Sequence, residues 1–207
     1  GALAMEGVGY LERSGFGQID TLEDFFASVG REVRKSVAKV APLDPSPERV
    51  LDLIGTPERP DVMRGVDIPT FTDHMIRPVR EIADRGGKSW RSYAALACCD
   101  IVGGDSRDFV QWLALPEFMH VGSLIVDDIQ DKSEVRRGGQ AAHLIYGEPV
   151  AINAGTAAYF MGQKLLTGPE LSSADKLRLY DLYFEALRAG HAGQALDLAG
   201  LDDAMAQ

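Results

Sequence analysis

An apolar, helix-patterned run from Asp108 to Ile125 continues into Val126-Asp127-Asp128-Ile129-Gln130-Asp131. A helix that is apolar around much of its circumference must be surrounded by other elements, and three clustered carboxylates cannot be buried without partners. The fold must therefore carry a core helix into a polar cleft. Ser89 to Val102, Val150 to Leu166 and Ser172 to Leu198 read as further long, apolar helices. Sustained alternation and Val/Ile/Thr-rich runs bounded by turn residues are nearly absent, so the expected class is all-α, a helical bundle with a large core or central cavity.

The chain before these helices has a different character. Residues 1–20 are glycine-rich and read as a flexible or tag-derived amino terminus. Thr21 is a suitable N-cap for an amphipathic helix reaching about Val40. There Leu22, Phe25, Phe26, Val29, Val33 and Val37 recur at helical spacing, and Arg31, Arg34 and Lys35 take the other face. Prolines between Pro42 and Pro69 confine any helix there to Glu48–Ile54, and the character changes again after Pro78. The expected organisation is a lead-in over 21–80 and a helical domain over 81–207.

A net charge of −10 argues against nucleic acid or an anionic membrane as partner, since both require clustered cations. An anionic small molecule remains open, provided that local basic groups and divalent cations outweigh the global charge inside a cleft. The only cysteines, Cys98 and Cys99, are adjacent, which suits neither a disulfide framework nor a zinc site; buried, inert thiols are expected. With no signal-peptide pattern and no apolar run judged long enough to cross a bilayer, the expectation is a cytoplasmic protein without stable membrane insertion.

The chemistry is expected where carboxylates and cations alternate. On a helix Asp127 and Asp131 share one face about 6 Å apart, with Asp128 about 100° round the axis. Mg²⁺ takes one or two protein carboxylates and completes its octahedron with water and phosphate oxygens, so the spacing suits a Mg²⁺-diphosphate clamp. An acidic helix end left in solvent is the plain alternative. Arg136 and Arg137 follow, and guanidinium forks suit phosphate oxygens. Upstream, Gly86-Gly87-Lys88-Ser89-Trp90-Arg91 opens a helix, placing Lys88 and Arg91 one turn apart beside glycines that let backbone approach an anion. His120 lies seven residues before Asp127, two turns earlier and on nearly the same face. Gln194 and Asp197 share a face of the last helix.

In this order the motifs resemble those of the trans-isoprenyl (polyprenyl) diphosphate synthase family, over Gly86 to about Leu198. GGKSWR is similar to its GGKxxR, EFMHVGSLIVDDIQDKSEVRRGG looks like its first aspartate-rich motif with flanks, INAGTAAYF matches, and GQALDL is similar to GQxxDL. The resemblance implies an isoprenoid-synthase bundle lacking its carboxyl-terminal helices. It implies Mg²⁺ on Asp127, Asp128 and Asp131, with Arg136 binding the same allylic diphosphate. Gly87, Lys88, Arg91, His120 and Arg137 would hold isopentenyl diphosphate, with Gln194 also in the substrate site. Ser89 and Ser92 stand where the family usually has Arg and Pro. The second aspartate-rich motif and the later Lys-Thr motif do not occur in these residues; Asp202 and Asp203 read as a solvated helix end.

The implied activity is Mg²⁺-dependent 1′-4 condensation of isopentenyl diphosphate with an allylic diphosphate by a homodimer, a hetero-oligomer being the alternative assembly. In such enzymes the side chains just before the first aspartate set product length. Gly122 and Ser123 are small, which implies a product of geranylgeranyl size or longer. A class I terpene cyclase and a non-catalytic partner subunit of a complete synthase are the competing readings. A cyclase has no use for Lys88, Arg91, His120 and Arg137, and a structural subunit gains nothing from three carboxylates at a buried helix end.

Overall fold

A computed structural model describes residues 21–168 and 171–200; the expectations for residues 1–20 and for Asp202 and Asp203 lie outside the described residues. The chain divides into two compact units, with the break between Gly162 and Gln163. The architecture is all-α, and its only strands among the described residues are two of two residues each.

Helix α1 (Leu22–Val40) begins as its sequence dictates. Thr21 accepts from the Asp24 N–H at 3.0 Å, and the Asp24 carboxylate accepts from the Thr21 N–H at 3.1 Å, a reciprocal cap that satisfies two otherwise orphaned donors. Its stripe of Phe25, Val29, Val33 and Val37 is fully buried. A short α2 (Pro47–Ile54) follows, capped by Ser46, and then a 3₁₀ turn at Pro60–Met63.

Pro78 is not the boundary that the sequence suggests. It lies near the start of α4 (Arg77–Asp84), which is continuous with α3 (Ile68–Phe71) through a π-helical segment at Thr72–Ile76. The Arg77 N–H reaches back five residues to the Thr72 carbonyl, and the widened turn accommodates the missing proline N–H without ending the rod. Val79, Ile82 and Ala83 of α4 are buried.

Helix α5 (Trp90–Ile101) buries only Ser92 and Leu96, so it is a one-sided surface helix; Ile101 and Val102 are more than four-fifths exposed. That corrects the expectation of buried thiols, since Cys98 is exposed and Cys99 half-buried. The run expected to start at Asp108 is a 3₁₀ helix over Ser106–Leu113, and the α-helix proper, α6, spans Ala114–Gln130. Residues 106–130 together are long and apolar enough to cross a bilayer by length and composition, contrary to the sequence reading. In the fold, α6 sets Phe118, Val121 and Ile125 against its neighbours, each side chain removed from water contributing about 1.5–3 kcal/mol.

After α6 comes a hairpin, β1 (Val135–Arg136) and β2 (Gly139–Gln140), then α7 (Ala142–Tyr146) and α8 (Glu148–Met161). The main packing is α6 on α8, with α4 and α1 completing the shell round α6. Gly122 of α6 makes the crossing possible, since a Cβ built there would lie 2.6 Å from the Gly155 carbonyl oxygen of α8. Gly122 is thus small because a neighbouring backbone occupies the space. Of the two small residues before the aspartates, Ser123 is the exposed one, and its hydroxyl donates to the His120 carbonyl at 2.8 Å.

The second unit is built on α9 (Ser173–Leu198), whose N-cap Ser172 accepts from the Asp175 N–H. Within it, Gln163 donates to the Tyr180 hydroxyl at 2.6 Å. Gln194 and Asp197 lie on α9 and belong to this unit.

Candidate diphosphate site

The first unit contains an open cleft of about 290 Å³ between the loop preceding α5, the polar side of α6, and the β1–β2 hairpin. Lys88, Arg91, His120, Arg136 and Arg137 all line it, as does Gly87. Arg34, on the face of α1 opposite its apolar stripe, lines the cleft too instead of facing open solvent. Glu117 is the only carboxylate in the lining, so five cationic side chains converge in a chain with a net charge of −10. Such local reversal of a global charge is what an anion site requires.

The two arginines of Arg136-Arg137 are held by different partners. The hairpin turns through Arg137 and Gly138, both at positive φ, which is the two-residue geometry whose twist matches that of the flanking strands. Arg137 donates to Glu117 at 2.9 Å and to the Ile82 carbonyl at 3.1 Å. Its guanidinium also lies against Gly87. Arg136 donates through Nε to Asp128 Oδ1 at 2.8 Å, and a second Arg136 nitrogen bonds the same oxygen. This partner raises the guanidinium's affinity for its proton. Asp127 Oδ2 is 3.7 Å from Arg136, which therefore joins the cationic cleft to the aspartate cluster.

Arg85, at the C-cap of α4, was not singled out in the sequence. It donates to the carbonyls of Arg136 and Gln140, both at 2.8 Å, and to Glu81 at 3.0 Å, so it fixes the hairpin to the end of α4. A Cβ on Gly139 would come within 2.7 Å of this guanidinium. The signals available were indirect: Arg85 immediately precedes the glycine pair, and Glu117 stands one turn before His120.

His120 Nε2 and Arg91 Nη1 are 3.1 Å apart. Arginine has no acceptor, so Nε2 accepts and the imidazole carries its proton on Nδ1. Burial, reinforced by Arg91, Arg137 and Arg136, lowers the His120 pKa to about 4, so the ring is neutral at pH 7. Arg91 also stacks over the exposed Trp90 ring at 4.7 Å.

The aspartates are not equivalent. Asp128 is completely buried, and its Oδ2 has no hydrogen-bond partner among the described residues. Asp127 is partly exposed and Asp131, the C-cap of α6, is exposed; the Asp131 N–H donates to the Asp127 carbonyl at 2.8 Å. No group of three His, Cys, Asp or Glu side chains converges as a ready metal cage among the described residues. Two carboxylates one turn apart, with a third oxygen unpaired beside them, fit a hard cation that takes few protein ligands and completes its shell with substrate oxygens.

A largely buried helix of an all-α fold thus carries carboxylates to the rim of a cationic cleft. Residues 72–206 match the family described as Polyprenyl synthetase. The chain belongs to that family. It is 35% identical over 117 residues to the geranylgeranyl pyrophosphate synthase dpasD of Apiospora sacchari, covering 51% of this chain and 34% of that protein. It is 41% identical over 85 residues to a short chain isoprenyl diphosphate synthase of Methanothermobacter thermautotrophicus, covering 41% of this chain and 26% of the relative. Its fold is similar to the crystal structure of an FPP/GFPP synthase from Zymomonas mobilis, with a TM-score of 0.62 at 23% identity, over 84% of this chain and 56% of that one. The chain thus spans about a third of the length of the first-named curated relative.

Proposed function

We propose that the chain carries the diphosphate-binding part of a trans-prenyltransferase that condenses isopentenyl diphosphate with an allylic diphosphate. The observation that carries this reading is the cleft itself. A cationic pocket of Lys88, Arg91 and Arg137 around neutral His120 is separate in composition from the aspartates, and Arg136 connects the two. Two anionic substrates need two such subsites; an enzyme acting on one allylic diphosphate needs only the second.

Asp127 and Asp131, with Asp128 behind them, would hold Mg²⁺, which when bound neutralises charge developing on the departing pyrophosphate. Arg136, held by Asp128 and 3.7 Å from Asp127 Oδ2, would add positive charge beside the metal-bound diphosphate without reorganisation during ionisation. Lys88, Arg91 and Arg137 would grip the isopentenyl diphosphate, and His120 would contribute a neutral hydrogen bond from its protonated nitrogen. The isopentenyl double bond attacks the allylic cation, and a proton then leaves, to pyrophosphate in this reading, since no protein base is needed.

A product of geranylgeranyl size or longer agrees with the names of several relatives and with the exposed, small Ser123 one turn before Asp127. A homodimer is the proposed assembly, and native mass tests it. The function is tested by incubating the chain with an allylic diphosphate, labelled isopentenyl diphosphate and Mg²⁺. A linear, elongated prenyl diphosphate is expected; a cyclic hydrocarbon formed from the allylic substrate alone would overturn the assignment.

A further inference from the structure

The cleft holds one cation that neither the motif resemblance nor the family match over residues 72–206 reaches, because it comes from α1. Arg34 lines the same pocket as Lys88, Arg91, His120 and Arg137. A specific helix–loop contact brings it there. A Cβ built on Gly30 would lie 2.9 Å from the Ser89 hydroxyl, so the loop preceding α5 presses directly on the α1 backbone. One turn further along α1, Arg34 Nη1 lies 2.9 Å from the position a Cβ would take on Gly86. Gly86 sits at φ +73° and Ser89 at φ +51°, a sharply turned loop whose backbone lies against the guanidinium.

Arg34 also differs from the other arginines of the cleft, of which Arg91 bonds His120. Arg137 is committed to Glu117 and Ile82, and Arg136 to Asp128. Arg34 makes no hydrogen bond or ion pair with any described residue, and it is half-buried. A half-buried guanidinium with five donors, none of them bonded to a described residue, is a poor structural element and a good anion ligand. Ser89 interrupts the basic run between Lys88 and Arg91, so the cation that this loop does not supply itself arrives from α1.

We infer that Arg34 binds the isopentenyl diphosphate directly, as an additional ligand delivered from α1 across the Gly86–Ser89 loop. This rests on the isopentenyl site proposed above. Its consequence is that α1, outside the matched family region, takes part in substrate affinity.

The test is calorimetric titration of the 207-residue chain with isopentenyl diphosphate in the absence of metal, for wild type, Arg34→Met, Arg34→Lys, Lys88→Met and Arg91→Met. Met keeps an apolar stem over the loop and removes the charge; Lys restores charge without the planar fork. Arg34→Met is expected to weaken binding by about tenfold or more, the scale of one charge-assisted hydrogen bond, and Arg34→Lys to recover most of it. The melting temperatures of the Arg34 variants are expected to stay near that of wild type. Wild-type affinity in Arg34→Met overturns the inference, as does an equal loss in Met and Lys, which marks a packing role. If Lys88→Met and Arg91→Met also leave affinity unchanged, the isopentenyl site itself is wrong; if they weaken it and Arg34→Met does not, only the role of Arg34 falls.

Discussion

Arg136 Nε donates to Asp128 Oδ1 at 2.8 Å, and Asp128 is the only fully buried charged residue among the described ones. A carboxylate removed from water persists as an anion only beside a positive partner, so the pair fixes the hairpin to the end of α6. Removing one partner leaves the other charge uncompensated. Arg136→Ala is expected to cost about 3 kcal/mol in urea unfolding, and the Arg136→Met/Asp128→Leu double variant to recover most of it. Equal stability of wild type and Arg136→Ala would show that the contact is not structural.

His120 gives a pH dependence whose sign is fixed by its environment. Its folded-state pKa of about 4 lies below the unfolded value near 6.5, so the unfolded chain takes up the proton first. The associated stability is complete above about pH 6.5 and is lost as pH falls toward about 4. His120→Gln is expected to flatten the wild-type decline in melting temperature across that window. Asp105, held at about 2 by Arg107, acts below its ordinary value of 3.8, outside the window.

The α6–α8 crossing has no room for a methyl group. Gly122→Ala sets a Cβ 2.6 Å from a backbone carbonyl oxygen, which cannot rotate away, and should cost about 1–3 kcal/mol in chemical unfolding. Ser123→Ala, one residue on and exposed, should stay within about 0.5 kcal/mol. Similar costs for the two would contradict the close crossing.

The two proposed subsites should respond separately to mutation. Asp127→Asn and Asp131→Asn are expected to weaken Mg²⁺-dependent binding of an allylic diphosphate at least tenfold while leaving metal-free isopentenyl diphosphate binding near wild type. Paired titrations of each variant check this. Parallel loss of both ligands would mean that the aspartates and the cationic cleft form one undivided site.

Much of this was legible in the sequence because it is local. The Thr21–Asp24 cap, the α1 stripe and the order of GGKSWR, His120, the aspartates and the arginine pair need only spacing to be read. What escaped depends on tertiary contacts. Pro78 marks a helix boundary only if no π-helical turn absorbs its missing N–H. Gly122 looks like an open cavity wall until α8 is packed against it. Arg34 looks solvated until the Ser89 loop folds back on Gly30, and Arg85 looks incidental until the hairpin carbonyls reach it. The hairpin itself is too short for any periodicity, and a non-glycine residue at positive φ, Arg137, hides the turn.

We propose that the cleft around His120 binds isopentenyl diphosphate without metal. NMR titration of the histidine side-chain resonances tests it most directly. Metal-free isopentenyl diphosphate is expected to shift the His120 signals and to raise its pKa from about 4, because an adjacent anion favours the protonated ring. Unchanged His120 signals at saturating ligand, with shifts appearing only on addition of Mg²⁺ and an allylic diphosphate, would contradict the account.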